Sequence, residues 1–137
     1  MRILGIDYGD ARTGVALSDP SGFLASSLPT LKGGNSEKIA DQIAALALEH
    51  KAGKIILGYP KNMNDTIGER AKKTEALKAL LEARCDVPVI LWDERQTTAE
   101  AALYLRATGK KAKAQKGIID AVAATIILQS YLDFTRN

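Results

Sequence analysis

Asp7, Glu94 and Asp120 are the residues of this chain best suited to chemistry, because each is a carboxylate in a place where a carboxylate is costly to keep. Asp7 closes an apolar stretch containing Ile3, Leu4 and Ile6, and Glu94 follows the run from Val87 to Trp92. Asp120 is the only charged residue between Gly117 and Leu132. Taking a charge out of water is unfavourable unless it is paired or bound to metal. Singly, each acid has a dull explanation: an Asx turn for Asp7 in Asp-Tyr-Gly, a favourable helix dipole for Asp120. Brought together, they would make an all-oxygen site able to hold two divalent ions about 4 Å apart, an arrangement suited to in-line phosphodiester displacement.

Asp93 and Glu94 fall on opposite faces if their strand continues through them, so only one enters such a site. The longer reach of Glu94 favours it, with Asp93 as the alternative. The rest of the composition narrows the chemistry to these groups. One cysteine, Cys85, excludes an internal disulfide, and with a single His50 there are too few ligands for a Cys/His zinc site or a nucleophilic triad. Oxygen ligands favour magnesium or manganese.

The net charge of +3 is unevenly spread. Residues 69–137 hold twelve Lys/Arg against nine Asp/Glu, whereas residues 1–68 hold seven of each. Arg106, Lys110, Lys111, Lys113 and Lys116 follow one another with no acid between them, which makes a candidate contact for a phosphate backbone or a solvated loop.

These residues need a scaffold, and the hydrophobic pattern supplies one. Arg2–Asp7 and Gly14–Ser18 read as strands joined by a turn at Gly9–Thr13, and a third strand around Leu24–Leu31 carries Pro29, which places it at a sheet edge. Asn35 or Ser36 caps a helix running to about Lys51 with Ile39, Ile43, Leu46 and Ala47 on one face, and Gly53 ends it. A strand at Lys54–Tyr59 leads to a helix over about 67–84 with Ala71, Thr74, Leu77 and Leu81 inward. A buried strand at Val87–Trp92 precedes a helix at about Thr97–Thr108, the lysine-rich loop and a last helix from about Gly117 to Phe134. The order βββαβαβαα describes one α/β domain, residues 1–137, with an antiparallel meander joined to parallel strands. No apolar run is long enough to span a membrane and no leader pattern opens the chain, so a cytoplasmic protein is expected.

Four ordered blocks resemble the YqgF family of Holliday junction resolvases or pre-16S rRNA nucleases. They are Asp7-Tyr-Gly9-Asp-Ala-Arg12-Thr-Gly14-Val-Ala16, Gly58-Tyr-Pro60-Lys-Asn62-Met, Asp93-Glu94-Arg95-Gln-Thr97-Thr98, and Lys116 to Ala124 with Asp120, Ala123 and Ala124. Asn64-Asp65-Thr66 departs from the family's usual Asp-Gly. The first block alone also resembles the opening of actin-like ATPases and sugar kinases, which close two such domains around nucleotide where 137 residues supply one. The resemblance implies a ribonuclease H-like fold with a mixed five-stranded sheet flanked by helices. It implies a metal-dependent nuclease with Asp7, Glu94 and Asp120 as catalytic acids and ligands of two magnesium or manganese ions. Arg12, Thr13, Asn62, Arg95 and Lys116 are the expected substrate contacts, Arg12 and Thr13 projecting from a hairpin beside the acids. The expected partner is structured RNA or branched DNA, with ribosomal RNA maturation preferred, no membrane is involved, and the protein is a monomer or homodimer. A non-catalytic nucleic-acid-binding module is the remaining alternative. His50 and Cys85 are read as structural, and Trp92 as core.

Overall fold

The apolar run Ile3–Ile6 within Arg2–Asp7 turns Leu4 and Ile6 to one face and Ile3 and Gly5 to the other, so one strand feeds two cores. A computed structural model describes residues 1–59, 68–93 and 116–136, the side chains of 116–121 and 136 excepted. Its elements are β1 (Arg2–Asp7), β2 (Arg12–Ser18), β3 (Ala25–Lys32), α1 (Ser36–Glu49), β4 (Ala52–Tyr59), α2 (Glu69–Glu82), β5 (Val89–Asp93) and α3 (Lys116–Arg136). They form a five-stranded mixed sheet in the order β3-β2-β1-β4-β5. The β1, β2 and β3 strands make the antiparallel meander, and β4 and β5 add in parallel to β1.

Leu4 and Ile6 of β1 join Val15, Ile55 and Leu57 in a core covered by Ile39 and Ile43 of α1 and Leu77 and Leu81 of α2. The other face places Ile3, Ala16 and Ile56 against Ala124, Ile127 and Leu128 of α3. Gly5 lies on this second face. A Cβ there would stand 2.6 Å from Leu128 Cβ and 3.2 Å from the Ala124 carbonyl oxygen, so only glycine lets α3 lie this close to β1.

The expected elements are present with shifted ends. β2 begins at Arg12 rather than Gly14, because Arg12 and Thr13 pair with Lys32 and Leu31 of β3 instead of forming the turn. Asn35 caps α1, its side chain accepting from the Glu37 and Lys38 amides. That helix stops at Glu49, ahead of Gly53, and the chain reverses through Lys51 at φ 54°. Gly53 is therefore no helix stop. It lies inside β4, where a Cβ would collide with the Met1 side chain. The four inward residues expected of α2, Ala71, Thr74, Leu77 and Leu81, are the four it buries. The β5 strand starts at Val89 and extends to Asp93, and its half-buried residues reflect a place at the end of the sheet among the described strands. The helix expected at Thr97–Thr108 lies outside the described residues.

Candidate functional site

Strand direction gathers the motif residues at one end of the sheet. Asp7, Tyr59 and Asp93 all end parallel strands at the same edge, the carboxyl edge where ligand crevices of such sheets form. The β1 and β5 strands are not neighbours, because β4 lies between them. The expected proximity of acids on adjacent strands is thus replaced by a spacing of two strand widths, roughly 10 Å.

Side-chain alternation then sorts the acids by face. Ile3 and Gly5 put Asp7 on the face of α3. On β5, Val89 and Leu91 pack with the α1/α2 core while Ile90 and Trp92 pack with the α3 core, so Asp93 falls on the face opposite Asp7.

Asp7 is half-buried and takes part in polar interactions. It pairs with Gly14 of β2, and the β1–β4 register, Ile6 beside Leu57, carries on to Gly58 at its other side. Both flanking positions on its face are thus glycines, and neither contributes a side chain. Gly58 pairs in turn with Trp92, whose ring packs edge-on against Tyr131 and Phe134 at 5.4 and 5.3 Å. Trp92 is a core residue, as expected.

The backbone of α3 runs antiparallel to β1. Its first half meets Gly5, and further on Gln129 Oε1 accepts from the Ala25 amide at the far end of the sheet, 2.9 Å away. Position 120 lies one helical turn before Ala124, about 6 Å toward the carboxyl edge. Asp7 lies two residues beyond Gly5, about 7 Å in the same direction. Asp7 and position 120 therefore share one level on one face. The helix begins at Lys116 and holds no acid in its first turn, so the dipole explanation for Asp120 loses its basis.

Arg12 is half-buried at the start of β2 and makes polar interactions. Thr13 corrects the expectation that it projects beside the acids: it is fully buried, and alternation with Val15 turns it to the α1/α2 face. Among the described residues its Oγ1 has no hydrogen-bond partner, because the apolar core encloses it. Glu94, Asn62 and Arg95 lie outside the described residues, as does the basic stretch from Arg106 apart from the backbone of Lys116. Among the described residues no cluster of three possible metal ligands occurs. The donors that the site can offer are carboxylate oxygens, which fit a hard divalent ion and not a soft one.

Sequence reasoning missed the residues that brace this edge. Lys73 of α2 holds Asp10, in the turn after Asp7, through a 3.1 Å ion pair that raises the lysine pKa and keeps the amine charged. Gly34 lies against the Asp10 carbonyl oxygen from the other side. Tyr59 donates its hydroxyl to Glu75, a bond that raises the tyrosine pKa. No short motif marks these contacts, since the partners are 63 and 16 residues apart. Gly58 did carry a signal, a glycine inside an apolar strand run.

The sheet order and the placement of the helices define a ribonuclease H-like fold of the RuvC kind. Two solved structures show the architecture: Thermus thermophilus RuvC in complex with Holliday junction substrate, with TM-score 0.66, 15% identity and 98% and 96% of the two chains covered, and the Fowlpox virus resolvase with its junction DNA, with TM-score 0.61, 12% identity and full coverage of both. The chain belongs to the family described as "RuvX: Holliday junction resolvase", whose model matches residues 1–134. Curated relatives named "Putative pre-16S rRNA nuclease" include one from Listeria monocytogenes, 44% identical over 98% of this chain and 99% of its own, and one from Thermoanaerobacter pseudethanolicus, 44% identical over 100% and 99%.

Proposed function

We propose that this protein is a metal-dependent nuclease that hydrolyses phosphodiester bonds in the 5′-end maturation of pre-16S ribosomal RNA. The observation that carries it is the shared level of Asp7 and position 120 on one face, fixed by the close approach of α3 to Gly5. Asp7, Glu94 and Asp120 would hold the divalent ions, magnesium or manganese, with Asp7 between the other two. Strand alternation supports Glu94 over Asp93, because a strand continued by one residue beyond Asp93 returns to the face of Asp7. Bound there, such ions polarise the phosphoryl oxygen and lower the pKa of water.

The chain's own residues do the remaining work. The glycines on either side of Asp7 leave width for a sugar-phosphate backbone to approach the sheet edge. All three described helices begin at this edge, so their N-terminal dipoles favour a polyanion there. Lys116, Arg95 and Arg12 contribute charge to the bound backbone, and Asn62 orients it. No helix among the described residues is long and apolar enough to cross a membrane.

A second reading is cleavage of four-way DNA junctions, favoured by the family's description and by the fold shared with junction resolvases. Purified protein with manganese, given a pre-16S 5′ precursor RNA and a four-way junction in parallel, separates the two. Cutting of the RNA at a defined position with the junction intact supports the first, and the reverse supports the second. Binding of both with no cutting by highly purified protein would leave a non-catalytic module.

A further inference from the structure

From Asp7 the sheet offers two ways across its α3 face, and they end differently. Toward β5 the row passes Gly58 and meets the Trp92 ring, which packs against Tyr131 and Phe134. Toward β3 it passes Gly14 and comes to two cations. Leu31 of β3 packs with the α1/α2 core opposite Thr13, so the next pair outward, Lys32 and Arg12, falls on the face of Asp7. Ala25 joins the core under α3, whereas Ser27, two residues further along the same face of β3, is exposed. The α3 helix therefore leaves the carboxyl half of β3 open on this face.

Arg12 and Lys32 stand directly opposite each other, an arrangement in which like charges repel and weaken the strand pair. Arg12 is half-buried and makes polar interactions. Lys32 is exposed, and among the described residues no hydrogen bond or ion pair engages it. Lys73, across the sheet, is by contrast taken by Asp10.

We propose that Lys32 is a substrate-binding residue: its ammonium holds a backbone phosphate on the β3 side of Asp7, so that the bound strand leaves the cut over Gly14 and Arg12 toward the edge of the sheet. The proposal rests on the nuclease reading above and gives the course of the substrate across that same site. Spacings of about 4.8 Å between strands and about 3.3 Å between residues put Lys32 roughly 12 Å from Asp7 along the sheet. That is a few nucleotides of a strand rising about 3.4 Å per nucleotide. A phosphate between Lys32 and Arg12 removes their repulsion, and an ammonium on a flexible stem reads charge and not sequence. The contact thus suits RNA and DNA backbones alike. A lysine closing an edge strand also guards against strand addition, a role that leaves nucleic-acid binding untouched.

The test titrates wild type, K32Q, K32R and K38Q with a pre-16S 5′ precursor hairpin and a four-way DNA junction over a range of salt, with steady-state kinetics and with thermal melts of the free protein. Lys38, exposed in the first turn of α1, lies across the sheet from Asp7 and serves as the control. One lost phosphate contact lowers the log–log salt slope by about 0.9 on a duplex, so K32Q should lose about that much. Its KM should rise roughly 3- to 10-fold at low salt with kcat near wild type. Its melting temperature should hold or rise, because a repulsive pair is gone. K32R should restore slope and KM, and K38Q should keep both. A slope lost on one substrate only supports the contact and names the backbone that takes this path. A wild-type slope in K32Q on both, a K32R that restores nothing, or an equal loss in K38Q overturns the contact and leaves the nuclease reading standing. A wild-type protein that neither binds nor cuts either substrate overturns that reading itself.

Discussion

The two ends of the sheet are built to opposite purposes. At the amino edge, polar side chains are bonded to one another and to the backbone. Gln129 donates to the Phe23 carbonyl at 2.9 Å and to Asp133 at 3.0 Å while accepting from Ala25, and Asp19 accepts from the Ser21 hydroxyl and the Phe23 and Leu24 amides. At the carboxyl edge, Asp7 stands between glycines, and the ion pair at Asp10 is largely exposed. Polar groups are bonded within the fold at both ends, and the carboxyl edge differs in placing a strand-ending acid, Asp7, between two glycines. A substitution should accordingly change folding at one end and activity at the other.

The sharpest break in that contrast is Asp7→Asn. It should lower nuclease activity by more than roughly 100-fold, since loss of even an outer-shell partner of a metal ligand costs 10- to 100-fold. Metal-free thermal stability should stay unchanged or rise, because clustered carboxylates repel, and stabilisation by manganese should vanish. A marked fall in the metal-free melting temperature would return Asp7 to the turn reading.

Gly5→Val tests the link between the two ends. Its methyls have no room under Leu128 and Ala124, so stability should fall by about 1–3 kcal/mol, and activity should fall with it as α3 is pushed from β1. Full activity in a destabilised variant would separate position 120 from the site.

Gln129→Ala should remove about 1–2 kcal/mol in denaturant unfolding and leave kcat unaltered. Thr13→Val replaces a buried hydroxyl that has no partner among the described residues with a methyl and should raise stability by about 1 kcal/mol. If it lowers kcat instead, the hydroxyl serves the site through the core.

The smallest effect is acid sensitivity at the amino edge. Hydrogen bonds from Ser21 and from the Leu24 and Phe23 amides lower the Asp19 pKa to about 2. A carboxylate depressed on folding stabilises above its unfolded value of 3.8, and that contribution is lost as pH falls toward about 2. Asp19→Asn should flatten this part of the stability–pH curve, and leave the pH dependence of cleavage as it was.

Much of this was legible in the sequence because local periodicity records burial. Ala71, Thr74, Leu77 and Leu81 announce the inner face of α2, and Pro29 announces an edge. Asp7 was legible for the same reason, as a charge ending an apolar strand. Thr13 was misplaced because a Gly-rich turn signal ran into a strand start that only pairing with β3 could reveal. Gly53 was misread because its place, where the β4 pairing shifts from Arg2–Ala52 to Ile3–Lys54, is set by the distant strand β1. The separation of β1 from β5 by β4 is likewise a fact of topology, which no single segment records.

Edge strand β3 has a consequence for how molecules of this protein meet one another. Its pairing with β2 slips by one residue between Leu28 and Leu31, and the slip contains Pro29, which has no amide to donate. A bulge, a proline and a terminal lysine interrupt what would otherwise be a flat template for an incoming strand. Concentrated solutions should therefore resist growth of sheets by end-to-end addition through this strand, and straightening it by Pro29→Val should make the protein precipitate sooner.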